Sequence, residues 1–141
     1  MSSHLHSALT RKIIGQAYHV HNQLGWGYAE IIYEKALAKR LRGIGLVAER
    51  QHPIDVWFEE ECLGDFRADI LVENLVIVEL KAVETVHAKY YAQTNNYIRS
   101  TEIEVGLLIN FGPDGVEVTR KVMTNDRKPN LAEILRRRGL A

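Results

Sequence analysis

Near the start of the chain, apolar residues recur at three- and four-residue steps in two stretches, a spacing typical of amphipathic helices. The first predicted helix spans Ser7 to Gly25, with the glycine as its end. The second helix runs from about Tyr28 to Arg42 and stops at Gly43. Its predicted buried face consists of Ile32, Tyr33, Ala36, Leu37 and Leu41.

A third helix, with a mixed polar and apolar face, is predicted later in the chain, from Thr85, which can cap it, to about Arg99.

Between the second and third helices, the pattern changes to the alternation and short apolar runs of β-strands. Extended chain is expected over Leu46 to Gln51 and over Ile54 to Phe58, and Pro53 between them indicates an edge position or a bulge. Glu59-Glu60-Glu61 is predicted to be an exposed turn, after which Phe66 to Val72 leads into a hairpin. Three consecutive antiparallel strands, a meander, are the simplest arrangement.

The hairpin is defined by two apolar runs, Ile70 to Val72 and Leu75 to Val78, on either side of the polar break Glu73-Asn74. A three-residue loop centred on that asparagine sets Val72 opposite Val76. Such a loop needs a left-handed residue, and asparagine tolerates that conformation. This register decides which polar side chains meet beyond the end of the apolar runs.

The same register sets two carboxylates, Asp69 and Glu79, opposite each other at an expected Cβ separation of roughly 4.5–5.5 Å. Like charges directly opposed in a sheet are destabilising, so this pair favours a cation between them. Lys81 lies on the same face of its strand and can be that charge. A divalent metal is the better candidate, because hard cations take carboxylate oxygens. The simpler alternative is an exposed sheet face that carries an ordinary Glu79–Lys81 neighbour pair.

The last third of the chain predicts one buried strand, a partner for it and a short final helix. Glu104 to Phe111 is a nearly continuous apolar run, typical of a strand that is buried on both faces. Gly112-Pro113-Asp114-Gly115 turns the chain into a hairpin partner over Val116 to Thr119. Asn130 and Glu133 form a variant of the capping box ahead of the final helix.

Composition narrows the class of protein. The 141 residues suit a single domain over 1–141. The mean hydropathy of −0.18 is that of a soluble globular protein. No apolar run approaches the roughly 20 residues of a membrane helix and no signal-peptide pattern is present, so we expect a cytoplasmic location and no membrane partner. The single cysteine, Cys62, excludes an internal disulfide and a thiolate zinc cluster.

The charge balance argues against a general nucleic-acid coat. The chain has 18 basic and 18 acidic residues and a formal net charge of zero, whereas proteins that bind nucleic acid non-specifically are usually strongly basic. Any contact with nucleic acid must therefore rest on a local patch. The candidates are Arg120-Lys121, Arg127-Lys128 and Arg136-Arg137-Arg138, although a basic run at a helix C-terminus also simply complements the helix dipole.

Five short motifs stand in a fixed order along the chain: Gly27-Tyr28-Ala29-Glu30-Ile31-Ile32-Tyr33, Arg67-Ala68-Asp69, Val78-Glu79-Leu80-Lys81, Gln93-xxx-Tyr97 and Gly106-Leu107-Leu108-Ile109-Asn110-Phe111. In this order the chain resembles the PD-(D/E)xK nuclease superfamily, and within it the small GxxExxY proteins. The resemblance covers roughly residues 10 to 122. It implies an α/β fold with a restriction-endonuclease-like core, in which a central mixed sheet with an antiparallel meander is flanked by helices.

The resemblance also implies metal-dependent hydrolysis of phosphodiester bonds in DNA or RNA. Carried onto this chain, the implied metal ligands are Glu30, Asp69 and Glu79, and the implied position of Lys81 is beside the attacking water. These four are the candidate catalytic residues. The implied cofactor is Mg²⁺, for which Mn²⁺ can substitute.

Gln93 and Tyr97 resemble the Gln-xxx-Tyr pair of one branch of the superfamily, which lies beside the site and helps to hold substrate. The proline of the superfamily's name is replaced here by Ala68, at a position that varies widely among its members. The implied partner is nucleic acid, and a homodimer is in keeping with the fold. Two alternatives stay open: a catalytically silent nucleic-acid-binding or protein-interaction module that keeps the nuclease fold, and hydrolysis of another phosphate ester such as a nucleotide.

Overall fold

Many of the apolar side chains of the predicted helices and strands are buried in a five-stranded sheet that has helices on both of its faces. The structure is a computed structural model that describes residues 4–140. None of the helices within that range is both long and apolar enough to cross a membrane. In chain order the elements are α1 (Ser7–Leu24), α2 (Glu30–Gly43), β1 (Ala48–Phe58), β2 (Glu61–Val72), β3 (Val76–Lys81), α3 (Ala88–Arg99), β4 (Val105–Gly112), β5 (Gly115–Val122), a 3₁₀ turn (Asn125–Arg127) and α4 (Leu131–Arg137).

The strands lie in the order β1-β2-β3-β4-β5. Neighbours are antiparallel except β3 and β4, which are parallel and are connected through α3. The predicted meander of the first three strands and the mixed sheet are therefore confirmed. β1 is one continuous strand rather than two, and it accommodates Pro53 because it is the edge strand, where the proline nitrogen can face away from the neighbouring strand.

Alternate residues of the strands build two cores, one on each face of the sheet. On one face α1 and α2 pack on a large apolar cluster that includes Ile70 and Val78. On the other face Tyr97 of α3 packs with Leu71 and Ile77. Successive side chains of a strand point to opposite faces, so Leu71 and Ile77 face α3, whereas Ile70 and Val78 face α1 and α2. Ala68 also packs on the α3 side, so the alternation in β2 breaks at Asp69.

Close packing of α3 on the sheet depends on Gly106 in β4. A Cβ atom at this position would lie 3.1 Å from Ile98 Cδ1 and 3.1 Å from Thr94 Cγ2, both of which belong to α3. The missing side chain therefore lets the helix approach the strand directly.

The third helix begins at Ala88, and its N-cap is His87 rather than the predicted Thr85. A ring nitrogen of His87 accepts a backbone N–H of the first turn at 3.1 Å. The reason for the later start lies in β4. The side chain of Asn110 accepts the Val83 N–H at 3.0 Å and donates to the Val83 carbonyl at 2.9 Å, which holds the chain extended after β3.

The second helix begins at Glu30, two residues after the predicted start. Ile32, which was predicted on the buried face, is 41% exposed. Tyr33, Leu37 and Leu41 recur every four residues and are fully buried, so they set the face that turns inward. Ile32 precedes this set by one position, about 100° around the helix, and therefore points outward.

The predicted capping box at the final helix does not form. Asn130 precedes α4, but its side chain makes no capping bond. The Glu133 carboxylate instead pairs with Arg136 at 2.6 Å, because residues three apart share a helix face.

Candidate functional site

The hairpin between β2 and β3 has the predicted register, with Val72 opposite Val76. Asn74 adopts the expected left-handed conformation with φ 55°, and Glu73 before it does the same with φ 54°. A left-handed glutamate is uncommon, and here its carboxylate anchors the loop by accepting the Val47 N–H at 2.6 Å. The loop is thus tied to the chain that leads into β1.

Asp69 and Glu79 lie where the β2–β3 ladder stops, one position beyond the pairing of Ile70 with Val78. Side-chain bonds replace the ladder here. The Asp69 N–H donates to Glu79 Oε1 at 3.2 Å, and the Leu80 N–H donates to Asp69 Oδ2 at 2.8 Å. Each carboxylate is therefore bonded to the strand that carries the other. Glu79 is only 5% exposed, whereas Asp69 is half-buried.

This pair resists carrying two negative charges. Burial, followed by repulsion from Asp69, raises the pKa of Glu79 to about 9. Burial also raises the pKa of Asp69 to about 6, although the Leu80 N–H that bonds its carboxylate opposes the change. At pH 7 the pair therefore carries one negative charge and one proton, which resides mainly on Glu79. A divalent cation bound by both groups would displace that proton.

Glu30 and Lys81 meet beside the carboxylate pair. Lys81 Nζ lies 3.8 Å from Glu30 Oε2, and the same ammonium lies 4.2 Å from the centroid of the Tyr90 ring. Lys81, which the sequence suggests as a charge that compensates Asp69 and Glu79, forms its ion pair with Glu30, and its charge also opposes the rise in the pKa values of Asp69 and Glu79. The charge of Glu30 contributes to the raised pKa of Asp69, so the four predicted catalytic residues share one electrostatic environment.

Gln93 and Tyr97 border the same site with different exposure. Tyr97 is buried, and its ring stacks on that of Phe66 with centroids 3.9 Å apart and planes 14° apart. Its hydroxyl bonds to the exposed Gln93 side chain. Burial and then the charges of Glu79 and Asp69 raise the pKa of Tyr97, which reflects how near its hydroxyl lies to the carboxylates.

Glu34, which the sequence analysis passed over, is a further buried carboxylate at the site. It is 3% exposed, and its two oxygens accept from Arg50 Nη2 and Gln51 Nε2, each at 2.7 Å. Its charge contributes to the raised pKa values of Glu30 and Asp69. The sequence did contain a signal for it, because Glu30 and Glu34 are four residues apart and therefore share a helix face.

Tyr33, the last residue of the first motif, anchors the loop that leads into α2. Its fully buried ring stacks on Phe111 with centroids 4.5 Å apart. Its hydroxyl donates to the Gly25 carbonyl at 2.5 Å and accepts the Tyr28 N–H at 3.3 Å. These bonds hold the start of α2, where Glu30 stands.

The residues at the site fit a hard divalent cation. Asp69 and Glu79 supply neighbouring carboxylate oxygens, and Mg²⁺ characteristically binds through one or two carboxylates while keeping water and substrate phosphate as its other ligands. Within residues 4–140, no three His, Cys, Asp or Glu side chains converge as a complete set of metal ligands. Glu30, the predicted third ligand, is therefore not gathered with the other two into a ready-made site.

Most of the basic patches suggested by the sequence are engaged within the protein. Lys128 is buried and donates to the carbonyls of Thr101 and Ile103 at 2.7 Å each. Arg120 donates to Thr10 Oγ1 at 3.2 Å. The run at the end of the chain is neutralised in place, since Arg136, Arg137 and Arg138 pair with Glu133, Glu60 and Glu102.

Comparison with known proteins agrees with the fold. The sequence model of the PD-(D/E)XK nuclease superfamily matches residues 7–122. Among solved structures, the crystal structure of SSO0001 is similar with a TM-score of 0.52 and 18% sequence identity, over 96% of this chain and 66% of that one. The chain thus spans slightly less than two thirds of that protein's length. No curated protein sequence matches the chain. The expected restriction-endonuclease-like α/β fold is confirmed.

Proposed function

The chain belongs to the PD-(D/E)XK nuclease superfamily, and on that basis we propose that it is a metal-dependent nuclease acting on phosphodiester bonds of DNA or RNA. The observation that carries the proposal is the Asp69–Glu79 pair. A buried and a half-buried carboxylate lie opposite each other across the strands, and each accepts a backbone N–H of the other strand. Carboxyl groups whose pKa values are strongly shifted are characteristic of functional sites. Here, a bound cation would compensate the two carboxylates.

In this proposal Asp69 and Glu79 hold Mg²⁺, or Mn²⁺ in its place, with Glu30 as a further oxygen donor. When bound, such an ion neutralises charge on the phosphate and acidifies a water. The cross-strand bonds fix both carboxylates in advance, so little reorganisation is needed when substrate arrives. Glu79 has to give up its proton in this step, which links occupancy of the site to pH.

Lys81 is proposed to orient the attacking water and to stabilise negative charge on the phosphate. An ammonium group has three N–H donors, and the single contact with Glu30 at 3.8 Å leaves donors available. The Tyr90 ring, 4.2 Å from the ammonium, restricts where Lys81 can point. Gln93, which is exposed beside buried Tyr97, is proposed to contact substrate.

We also propose that the chain is a GxxExxY protein. Each named position of the motif has a physical role that supports this. Gly27 has φ 112°, which favours glycine. Glu30 stands beside Lys81, and Tyr33 anchors the loop between the two helices. The same proposal includes two further points: the chain acts as a single domain over 1–141, and two copies pair as a homodimer.

The test is cleavage of labelled single-stranded and duplex DNA and RNA in Mg²⁺ or Mn²⁺. Asp69→Asn and Lys81→Met retain side-chain size and should abolish metal-dependent cleavage without unfolding the protein. Lys39→Met, which removes an exposed charge from α2, is the matched control and should cleave at the wild-type rate. Full activity in both site variants would overturn these roles.

One observation favours a second candidate, a catalytically silent module that binds nucleic acid or protein through the same fold. Within residues 4–140 the acidic side chains do not converge into a complete ligand set. This candidate predicts binding of nucleic acid that weakens with salt, with no product in any metal. The cleavage screen therefore separates the two.

A further inference from the structure

A cleft of about 560 Å³ opens beside the carboxylate site, between the β1–β2 hairpin and α3. Val56 and Phe66 line it from the hairpin, and Gln93 and Tyr97 are among the residues that line it from α3. Tyr97 also borders the carboxylate pair, because the charges of Glu79 and Asp69 raise its pKa, and Gln93 bonds to the Tyr97 hydroxyl. The cleft and the proposed metal site are thus neighbours that share a wall.

Two exposed cations, Lys89 and Arg99, line the cleft from the two ends of α3. They are about 15 Å apart along the helix axis, given a rise of 1.5 Å per residue. None of the described lining residues is acidic. Within residues 4–140, neither cation has a carboxylate partner within ion-pair distance, in contrast to the arginine run of the final helix. In a chain with zero net charge, this is the local positive surface that a phosphate backbone requires.

Phe66 supplies an aromatic surface to the same cleft. Its ring is half-buried, and it stacks on Tyr97, which fixes its orientation. Bases of any sequence stack on such rings, and aromatic side chains beside a basic track characterise sites for single strands.

Resting on the proposed nuclease function, we propose that this cleft binds an unstacked, single-stranded segment of nucleic acid next to the phosphodiester that is cleaved. A base packs against Phe66, and Lys89 and Arg99 contact phosphates on either side of it. The volume is that of a pocket for one small ligand. A duplex keeps its bases paired and stacked, so it cannot offer an unstacked base to the Phe66 ring. The cleft, rather than the carboxylate pair, then makes the protein prefer single strands over a duplex.

The test is fluorescence anisotropy with labelled oligo-dT, oligo-U and a duplex of the same length, in EDTA so that no metal-dependent cleavage occurs. Wild type should bind single strands at least about tenfold more tightly than the duplex. Lys89→Ala/Arg99→Ala should weaken single-strand binding about tenfold and reduce the slope of log K against log salt by about 1.4, or about 0.7 per lost phosphate contact. Arg11→Ala/Lys12→Ala removes one arginine and one lysine, both exposed on α1, and should behave as wild type.

A second variant separates stacking from charge. Phe66→Leu keeps an apolar side chain but removes the ring, so it should weaken single-strand binding about fivefold while leaving the salt slope unchanged. Thermal unfolding of each variant confirms that the fold is retained. Comparison of oligo-dT with oligo-U shows whether the cleft takes DNA, RNA or both.

Three results would overturn the inference: no binding of single strands by wild type, a duplex bound as tightly as a single strand, or wild-type affinity in Lys89→Ala/Arg99→Ala. Because no cleavage occurs in this binding assay, its result does not depend on whether the nuclease proposal is correct. Cleft-dependent binding without cleavage in any metal refutes the nuclease function alone. Cleavage with no effect of the cleft variants on binding refutes the cleft alone.

Discussion

Replacing Glu79 with glutamine should stabilise the protein, because the folded protein keeps this carboxyl group protonated at a pH where it would ionise in water. Glu79 is 5% exposed and faces Asp69. Folding raises its pKa from 4.5 to about 9, so the folded protein keeps a proton that the unfolded chain releases. The stability from this group is therefore fully present below pH 4.5 and is lost as the pH rises toward 9. Glutamine is neutral in both states and escapes this loss.

The size of the effect follows from the difference between the two pKa values. At pH 7 the unfolded carboxyl is about 2.5 pH units above its pKa of 4.5, while the folded one, with a pKa of about 9, is still protonated. Each pH unit is worth about 1.4 kcal/mol, which sets an upper value of about 3 kcal/mol at pH 7 and about 1 kcal/mol at pH 5. Glutamine Oε1 can still accept the Asp69 N–H, so the native bond at 3.2 Å is retained.

Urea unfolding of wild type and Glu79→Gln at pH 5 and pH 7 measures this difference. Glu34→Gln is the matched control, because it alters a carboxylate of similar burial that has a cationic partner, Arg50, at 2.7 Å. That variant leaves the guanidinium without its counter-charge and should be about 2 kcal/mol less stable than wild type. Mg²⁺ should stabilise wild type but not Glu79→Gln, and so narrow the gap between them.

The reasoning is refuted if Glu79→Gln is less stable than wild type at pH 7. It is equally refuted if the gap between the two proteins does not grow from pH 5 to pH 7. Either result would mean that Glu79 is ionised in the folded protein and that its charge is already compensated there.

Two further predictions concern the framework around the site. Tyr33→Phe removes the bond to the Gly25 carbonyl, so chemical denaturation should show a loss of about 1 kcal/mol, and any nuclease activity should fall without disappearing. Gly106→Ala places a methyl group 3.1 Å from Ile98 and should cost about 1–3 kcal/mol in the same assay. Gly15→Ala, where a Cβ meets nothing within 4 Å, should instead gain up to about 1 kcal/mol, and a similar loss in both alanine variants would contradict the packing explanation.

The β2–β3 hairpin could be predicted from the sequence because local rules determine it. Two apolar runs around a polar break fix the loop, and the loop fixes the register, so the opposition of Asp69 and Glu79 follows from counting. The bonds that each carboxylate makes to the other strand do not follow from counting. They depend on the ladder ending at Ile70 and Val78, which the sequence pattern does not indicate.

Three of the differences share a physical cause, which is that contacts between residues distant in sequence override the local pattern. The later start of α3 is imposed by Asn110, 27 residues beyond Val83 in the chain. The burial of Glu34 depends on Arg50, which reaches it from β1. Arg138, which directly follows α4, pairs with Glu102, 36 residues away. Helical spacing alone carries no information about such partners.

The division of the sheet into two faces explains how the fold tolerates an unfavourable charge pair. The larger core lies on the face covered by α1 and α2 and consists of apolar side chains around Ile13, Leu37 and Leu107. The smaller cluster under α3 includes Leu71, Ile77 and Tyr97, and the carboxylate pair lies next to it, because the charges of Glu79 and Asp69 raise the pKa of Tyr97. Because hydrophobic stabilisation scales with buried apolar area, most of it comes from the first face. The region next to the smaller cluster can therefore hold a protonated, repulsive carboxylate pair beside an open cleft without loss of the fold.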